Sequence, residues 1–225
     1  MDSKCVRSLI NNPSESFGFL SRLTCTTSRI NMDQRVITLF HESIEAKMHA
    51  GEELAPLIAH ASQLIVNALL NEKKILTCGN GISAAQAQIF TASLINRFEQ
   101  ERPSLPSFNL GADFTTHTAI GSDYSFKDAY AKQIRSLGQP GDILLLLTST
   151  GKASNLLQAI SAAHDKEMQV IALTAGDGGD VTALLDQRDL ELRVPTVAKP
   201  RIHEIHLLSL FCLCDLIDQQ LFGGY

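Results

Sequence analysis

The chain has 225 residues, 44% of them hydrophobic and 19% charged, with a formal net charge of −5. That length supports a full hydrophobic core in one domain or two small ones, and the composition is ordinary for a globular protein. The negative charge argues against a broad nucleic-acid surface, so no direct nucleic-acid partner is expected.

Residues 1–31 carry Asn11-Asn12-Pro13, several Ser and Thr, and four basic against two acidic side chains, with no long apolar core of a secretory signal. A regular amphipathic pattern begins just after Met32. Residues 1–31 are therefore read as an extension, either disordered or not native, and 32–225 as a single domain. Five cysteines (Cys5, Cys25, Cys78, Cys212, Cys214) show no disulfide spacing and fit a reducing, cytoplasmic compartment. The apolar run that comes nearest to membrane-spanning length, Ile205 to Cys214, contains His206 and Ser209 and meets Asp215. No membrane partner is expected.

In chain order, Val36, Ile37, Phe40, Ile44 and Met48 predict a helix over 33–48, and Leu57 through Leu69 a second over about 54–71. Strand and helix patterns then alternate. Strands are predicted at 74–78, 107–111, 142–147, 169–174 and 189–194, and helices at 84–98, 115–121, 126–137, 152–165 and 201–222. Asp177-Gly178-Gly179 reads as a loop. Runs such as Ile143 to Leu147 are solid apolar blocks, as in strands covered on both faces of a parallel sheet. The expected fold is a single doubly wound α/β domain with a central parallel sheet flanked by helices. The last helix is apolar almost all round, which predicts that it is covered all round and, with the first helix, forms a subunit interface.

Two strand-to-helix turns are rich in small residues. Gly79-Asn80-Gly81-Ile82-Ser83 offers backbone N–H groups at a helix start and the Ser83 hydroxyl. Thr148-Ser149-Thr150-Gly151-Lys152 offers three consecutive hydroxyls and a cation. Helix N-termini attract anions, and two such turns at strand ends predict a phosphosugar site.

These turns, with Asn96-Arg97-Phe98-Glu99, Arg102-Pro103, Ser122-Asp123 and Arg201-Ile202…Glu204-Ile205-His206, resemble the sugar isomerase (SIS) domain over residues 32–222. The narrower likeness is to the branch that holds phosphoheptose isomerases and the DnaA initiator-associating protein (DiaA). The resemblance implies a flavodoxin-like sheet and a homotetramer with sugar-phosphate sites between subunits. It places Asn80, Gly81, Ser83, Ser122, Asp123, Thr148, Ser149 and Thr150 on the phosphosugar, with Ala153 where a further Ser is usual.

The catalytic half of the pattern is absent. The family's Glu and His, which move the proton in ketose–aldose isomerisation, fall on Ser93 and Phe211. The family's zinc site, two His with a Glu and a Gln, falls on Ile89, Phe211, Ser93 and His203. Of these only His203 could bind a metal, and one ligand makes no site. Asp113, His117, Asp123, His203 and His206 are the residues left to compensate, His203 being a weak catalytic candidate. The DiaA resemblance also implies a contact with DnaA through Leu221-Phe222. The favoured expectation is a non-catalytic, phosphosugar-binding tetramer that regulates replication initiation through DnaA, with no cofactor. The alternative is a sedoheptulose 7-phosphate isomerase of lipopolysaccharide heptose synthesis, which would bring zinc with it.

Overall fold

The leucine block Ile143–Leu147 shows how the chain builds its centre. Successive strand side chains point to opposite faces. Ile143, Leu145 and Leu147 join one hydrophobic core, and Leu144 and Leu146 join the other. The computed structural model describes residues 31–223, and its sheet contains β1 (Ile75–Gly79), β2 (Ser107–Asn109), β3 (Ile143–Leu147), β4 (Gln169–Ala175) and β5 (Leu190–Val194). All pairings are parallel, in the order β2-β1-β3-β4-β5. The helices are α1 (Met32–Leu70), α2 (Ile82–Ile95), α3 (Phe114–Asp123), α4 (Ala129–Leu137), α5 (Ser154–Asp165), α6 (Gly179–Leu184) and α7 (Lys199–Phe222). Residues of α1, α2 and α7 pack on the Ile143 face and residues of α4 and α5 on the Leu144 face. This is the expected doubly wound sheet.

The strand order positions the site. The chain runs outward from β1 to β2 and then returns to β3, so the winding reverses between β1 and β3. Open α/β sheets hold ligands at such a reversal, beyond the carboxyl ends of the strands. Gly79 lies in register with Leu147, so the Gly79–Ser83 and Thr148–Gly151 turns leave the sheet side by side at one level.

Three sequence expectations are corrected. The two first helices are one, of 39 residues, with Pro56 inside it. A proline removes one helical N–H, but Ala50, Leu54, Ile58, Ala61 and Ile65 continue one buried face across the break, and packing overrides the local preference. The helix expected at 126–137 opens as a 3-10 turn, Phe126–Asp128, before α4. The Asp177-Gly-Gly179 loop leads into the short helix α6, which the glycines hide in the sequence.

By contacts the chain divides between Glu42 and Ser43. In the first unit, the described residues are mostly the opening turns of α1, with Met32, Val36, Ile37 and Phe40 exposed. The second unit holds the sheet and every later element. The extension, with Cys5 and Cys25, lies outside the described residues except for Asn31. Among the described residues, α1 and α7 are long and apolar enough to cross a membrane by length and composition, which the sequence reading missed. Helix α7 buries Ile202, Ile205, Leu210, Leu213 and Ile217, as the core helix of a globular protein does. It is thus partly covered by its own chain, with Leu208 and Phe222 its exposed large apolar side chains.

Candidate functional site

The first turn is built by its glycines. A Cβ on Gly79 would stand 2.8 Å from the Ser83 carbonyl group, and Gly81 sits at φ +58°. Gly81 is the N-cap of α2 and no side chain caps the helix, so this N-terminus is open to an anion. The buried Tyr130 hydroxyl donates to the Gly79 carbonyl from the opposite side of the sheet.

In the second turn the buried Thr148 Oγ1 accepts from the Gly151 N–H at 3.0 Å. That bond folds the turn and leaves the hydroxyl proton to donate elsewhere. Ser149 is half-buried, and Thr150 and Lys152 are exposed. Ala153 is the N-cap of α5, again with no side-chain cap. Gly151, at φ +65°, presses against the Gly178 backbone, so the β3 and β4 turns touch main chain to main chain.

The two turns are tied by a pair that sequence reasoning missed. Asn80 Nδ2 donates to Asn155 Oδ1 at 2.8 Å, and Asn155 Nδ2 donates back to Asn80 Oδ1 at 2.9 Å. Asn155 is buried at the start of α5. Its 75-residue separation from Asn80 carries no sequence signal. The Asn80 side chain thus acts as a strut between turns. Ser122 and Asp123 lie exposed at the end of α3, a helix that buries no residue of its own.

Zinc is the metal that the family resemblance implies, and the residues do not fit it. Ile89 offers no donor atom. Ser93 Oγ donates to the Ile89 carbonyl at 3.0 Å. Phe211 stacks on Phe98, with ring centroids 5.8 Å apart, at the wall of an apolar cavity of about 450 Å³ that contains none of the turn residues. The remaining candidates are mostly committed to structure. Asp113 caps α3, and its bonds from the Thr116 hydroxyl and N–H hold its carboxyl below the usual pKa. His117 lies edge-on to Phe126 and Tyr130, and its buried Nδ1 has no hydrogen-bond partner. His203 is the exception. It is half-buried in the first turn of α7 and pairs with Gln86, which is buried on α2.

His206 is fully buried, with Nε2 3.0 Å from the Thr174 carbonyl. The carbonyl only accepts, so Nε2 carries the proton and Nδ1 an unpartnered lone pair. Burial pushes the imidazole pKa down to about 4 from an ordinary 6.5. As pH falls, the unfolded chain takes the proton first. The stabilisation is complete above about pH 6.5 and is lost on acidification toward pH 4, in all about 3 kcal/mol. Urea unfolding should therefore show wild type losing more stability between pH 7 and 4.5 than His206→Gln. Equal losses would mean that His206 is not a buried neutral group.

A doubly wound parallel sheet with two open helix N-termini at its winding reversal defines an α/β domain of the ligand-binding type. The chain belongs to the SIS domain family, whose pattern matches residues 39–175. It is 53% identical to the phosphoheptose isomerase of Chromohalobacter salexigens over 195 residues, which is 87% of this chain and 99% of that protein. Two solved structures of phosphoheptose isomerases match 84% of this chain and 100% of their own. The Francisella tularensis protein is 45% identical with a TM-score of 0.82, and the Neisseria gonorrhoeae protein 40% with 0.80.

These relatives overturn the expectation of a non-catalytic, DiaA-like regulator of replication. Near-full-length matches to phosphoheptose isomerases favour the alternative reading of the sequence. The DnaA contact assigned to Leu221 and Phe222 loses its basis with that correction. Leu221 packs on the core and Phe222 is 42% exposed at the end of α7. The losses at Ile89, Ser93 and Phe211 stand as facts of this chain, but they do not make it a regulator.

Proposed function

We propose that the chain is a cytoplasmic sugar-phosphate isomerase of the phosphoheptose class, interconverting sedoheptulose 7-phosphate and the corresponding aldoheptose phosphate. The observation that carries this reading is 53% identity, over 99% of its length, to a phosphoheptose isomerase. The paired turns at the sheet's reversal support it. In this reading the open N-termini of α2 and α5, with the hydroxyls of Ser83, Thr148, Ser149 and Thr150, hold the phosphate. Gly81 keeps the backbone close to it and Asn80 braces the two turns. Ser122 and Asp123 face the sugar only if α3 approaches the turns or if they act on a neighbouring subunit's site. The exposed apolar residues along α1, from Val36 to Met48, support assembly with further copies as a homotetramer.

A direct assay of full-length protein for the aldoheptose phosphate, paired with its mass in solution, tests the reading. Turnover by a particle of four chains is the expected result. Absence of turnover at millimolar substrate would end the isomerase assignment, and a monomer that turns over would end the tetramer. A Ser83→Ala, Thr148→Val variant should raise KM at least tenfold, the loss of roughly 1.4 kcal/mol of phosphate hydrogen bonding.

A further inference from the structure

Resting on the isomerase reading, we propose that His203 moves the proton between the two sugar carbons, in a site that works without a metal. The structure holds its ring in one form. Gln86 Nε2 donates to the His203 carbonyl at 2.6 Å, which leaves Gln86 Oε1 facing His203 Nδ1 at 3.2 Å. An amide oxygen only accepts, so Nδ1 carries the proton and Nε2 presents the lone pair. Gln86 is thereby a positioning residue and Nε2 a base of fixed direction.

Place and charge agree with the role. Gln86 lies three residues after Ser83 on α2, and both are buried on one face. Gln86, which holds the ring, therefore lies roughly one helical turn, about 5 Å of rise, along α2 from Ser83. The carbonyl end of a heptose 7-phosphate lies several bonds from its phosphate, so a sugar anchored at the turns extends toward α7. The groups facing the ring are Gln86 from α2 and, from α7, Lys199 and His206, whose ring centroid is 6.5 Å away. Burial first, and then the Lys199 charge, lower the His203 pKa, which keeps the ring neutral, with its lone pair free, near pH 7. The other sequence candidates are less available, since Asp113 caps a helix and His206 donates to Thr174.

The step balances with no co-reactant. His203 Nε2 takes the proton from the carbon beside the carbonyl. The C–H electron pair becomes the double bond of an enediol, and the carbonyl oxygen takes a proton from water. The imidazolium then returns its proton to the former carbonyl carbon. The neighbouring hydroxyl loses its proton to water and becomes the new carbonyl.

The test follows proton exchange at that carbon in D2O by NMR, alongside turnover, on full-length protein treated with a chelator. Wild type should exchange and turn over with the chelator present. His203→Gln should slow both by about 100- to 10,000-fold, with the thermal shift on sugar phosphate unchanged. Gln86→Met, which frees the ring, should lower kcat about tenfold at constant KM. Exchange that survives His203→Gln within threefold overturns the role of His203 and leaves the isomerase reading intact. Loss of wild-type turnover in the chelator overturns the metal-free site. A wild type that neither exchanges nor turns over, with or without chelator, overturns the isomerase reading and this inference with it.

Discussion

Replacing Gly151 with alanine is expected to destabilise the fold by roughly 3 kcal/mol and to abolish ligand-dependent stabilisation. Two costs combine. At φ +65° any L-residue is strained by about 1 kcal/mol or more. The new Cβ would also fall on the Gly178 carbonyl, 2.6 Å from its carbon and 3.0 Å from Gly179 Cα. Those are backbone atoms, which no side-chain rotation can move, and overpacking of this kind costs about 1–3 kcal/mol. The approach is close from both sides, because a Cβ at Gly179 would itself stand 2.5 Å from the Thr150 carbonyl oxygen. Gly81→Ala is the control. Its φ is +58° with ψ −124°, but nothing lies within 4 Å of the added Cβ, so only backbone strain of about 1–3 kcal/mol applies. Urea midpoints of the two variants decide the matter. A Gly151→Ala protein destabilised by less than about 1 kcal/mol would refute the backbone-to-backbone contact.

The second large effect is expected at Arg102. Its side chain is 2% exposed, and Nε meets Asp218 Oδ1 at 3.0 Å. Nη1 donates to the Leu94 carbonyl at 2.6 Å and Nη2 to the Ser93 carbonyl at 2.8 Å. Those carbonyls belong to the last turn of α2, where helical carbonyls have no partner within the helix. Arg102 therefore caps α2 and clamps it to α7. Arg102→Met leaves a nearly buried carboxylate without its cation and the Ser93 carbonyl without its side-chain donor, while the Leu94 carbonyl keeps the Leu105 N–H, and should cost about 3–5 kcal/mol. Adding Asp218→Leu should restore a good part of that loss, because the stranded charge is then gone. Equal stability of the single and double variants would show that the ion pair is not what matters. The Ser93 backbone is thus held firmly even though its hydroxyl is spent on Ile89.

Much of the architecture was legible because its signals are local. A five-residue block such as Ile143–Leu147, bounded by turn residues, reads as a strand covered on both faces, and glycine pairs and hydroxyl runs at strand ends can be read as anion turns without knowing their neighbours. The missing zinc donors at Ile89, Ser93 and Phe211 were visible only through the family resemblance. Inferring from them that the chain is no enzyme went too far, because proton transfer needs a base in the right place and not one particular residue. The single helix α1 was hidden because Gly51 and Pro56 are weighed locally, whereas the buried face from Ala50 to Ile65 depends on what packs against it.

By itself, then, the sequence determined which segments are strands and which strand-to-helix turns carry glycines and hydroxyls, since each follows from residue type and short-range spacing, while the lacking metal ligands followed from the family resemblance. Only the tertiary structure decided that β1 and β3 are neighbours in register, that Asn80 is braced by Asn155, that Arg102 is clamped by Asp218, and that Gln86 fixes the His203 tautomer. Those are contacts between residues 68 to 117 apart, and no spacing rule reaches that far: such pairs exist only once the sheet has brought their elements together.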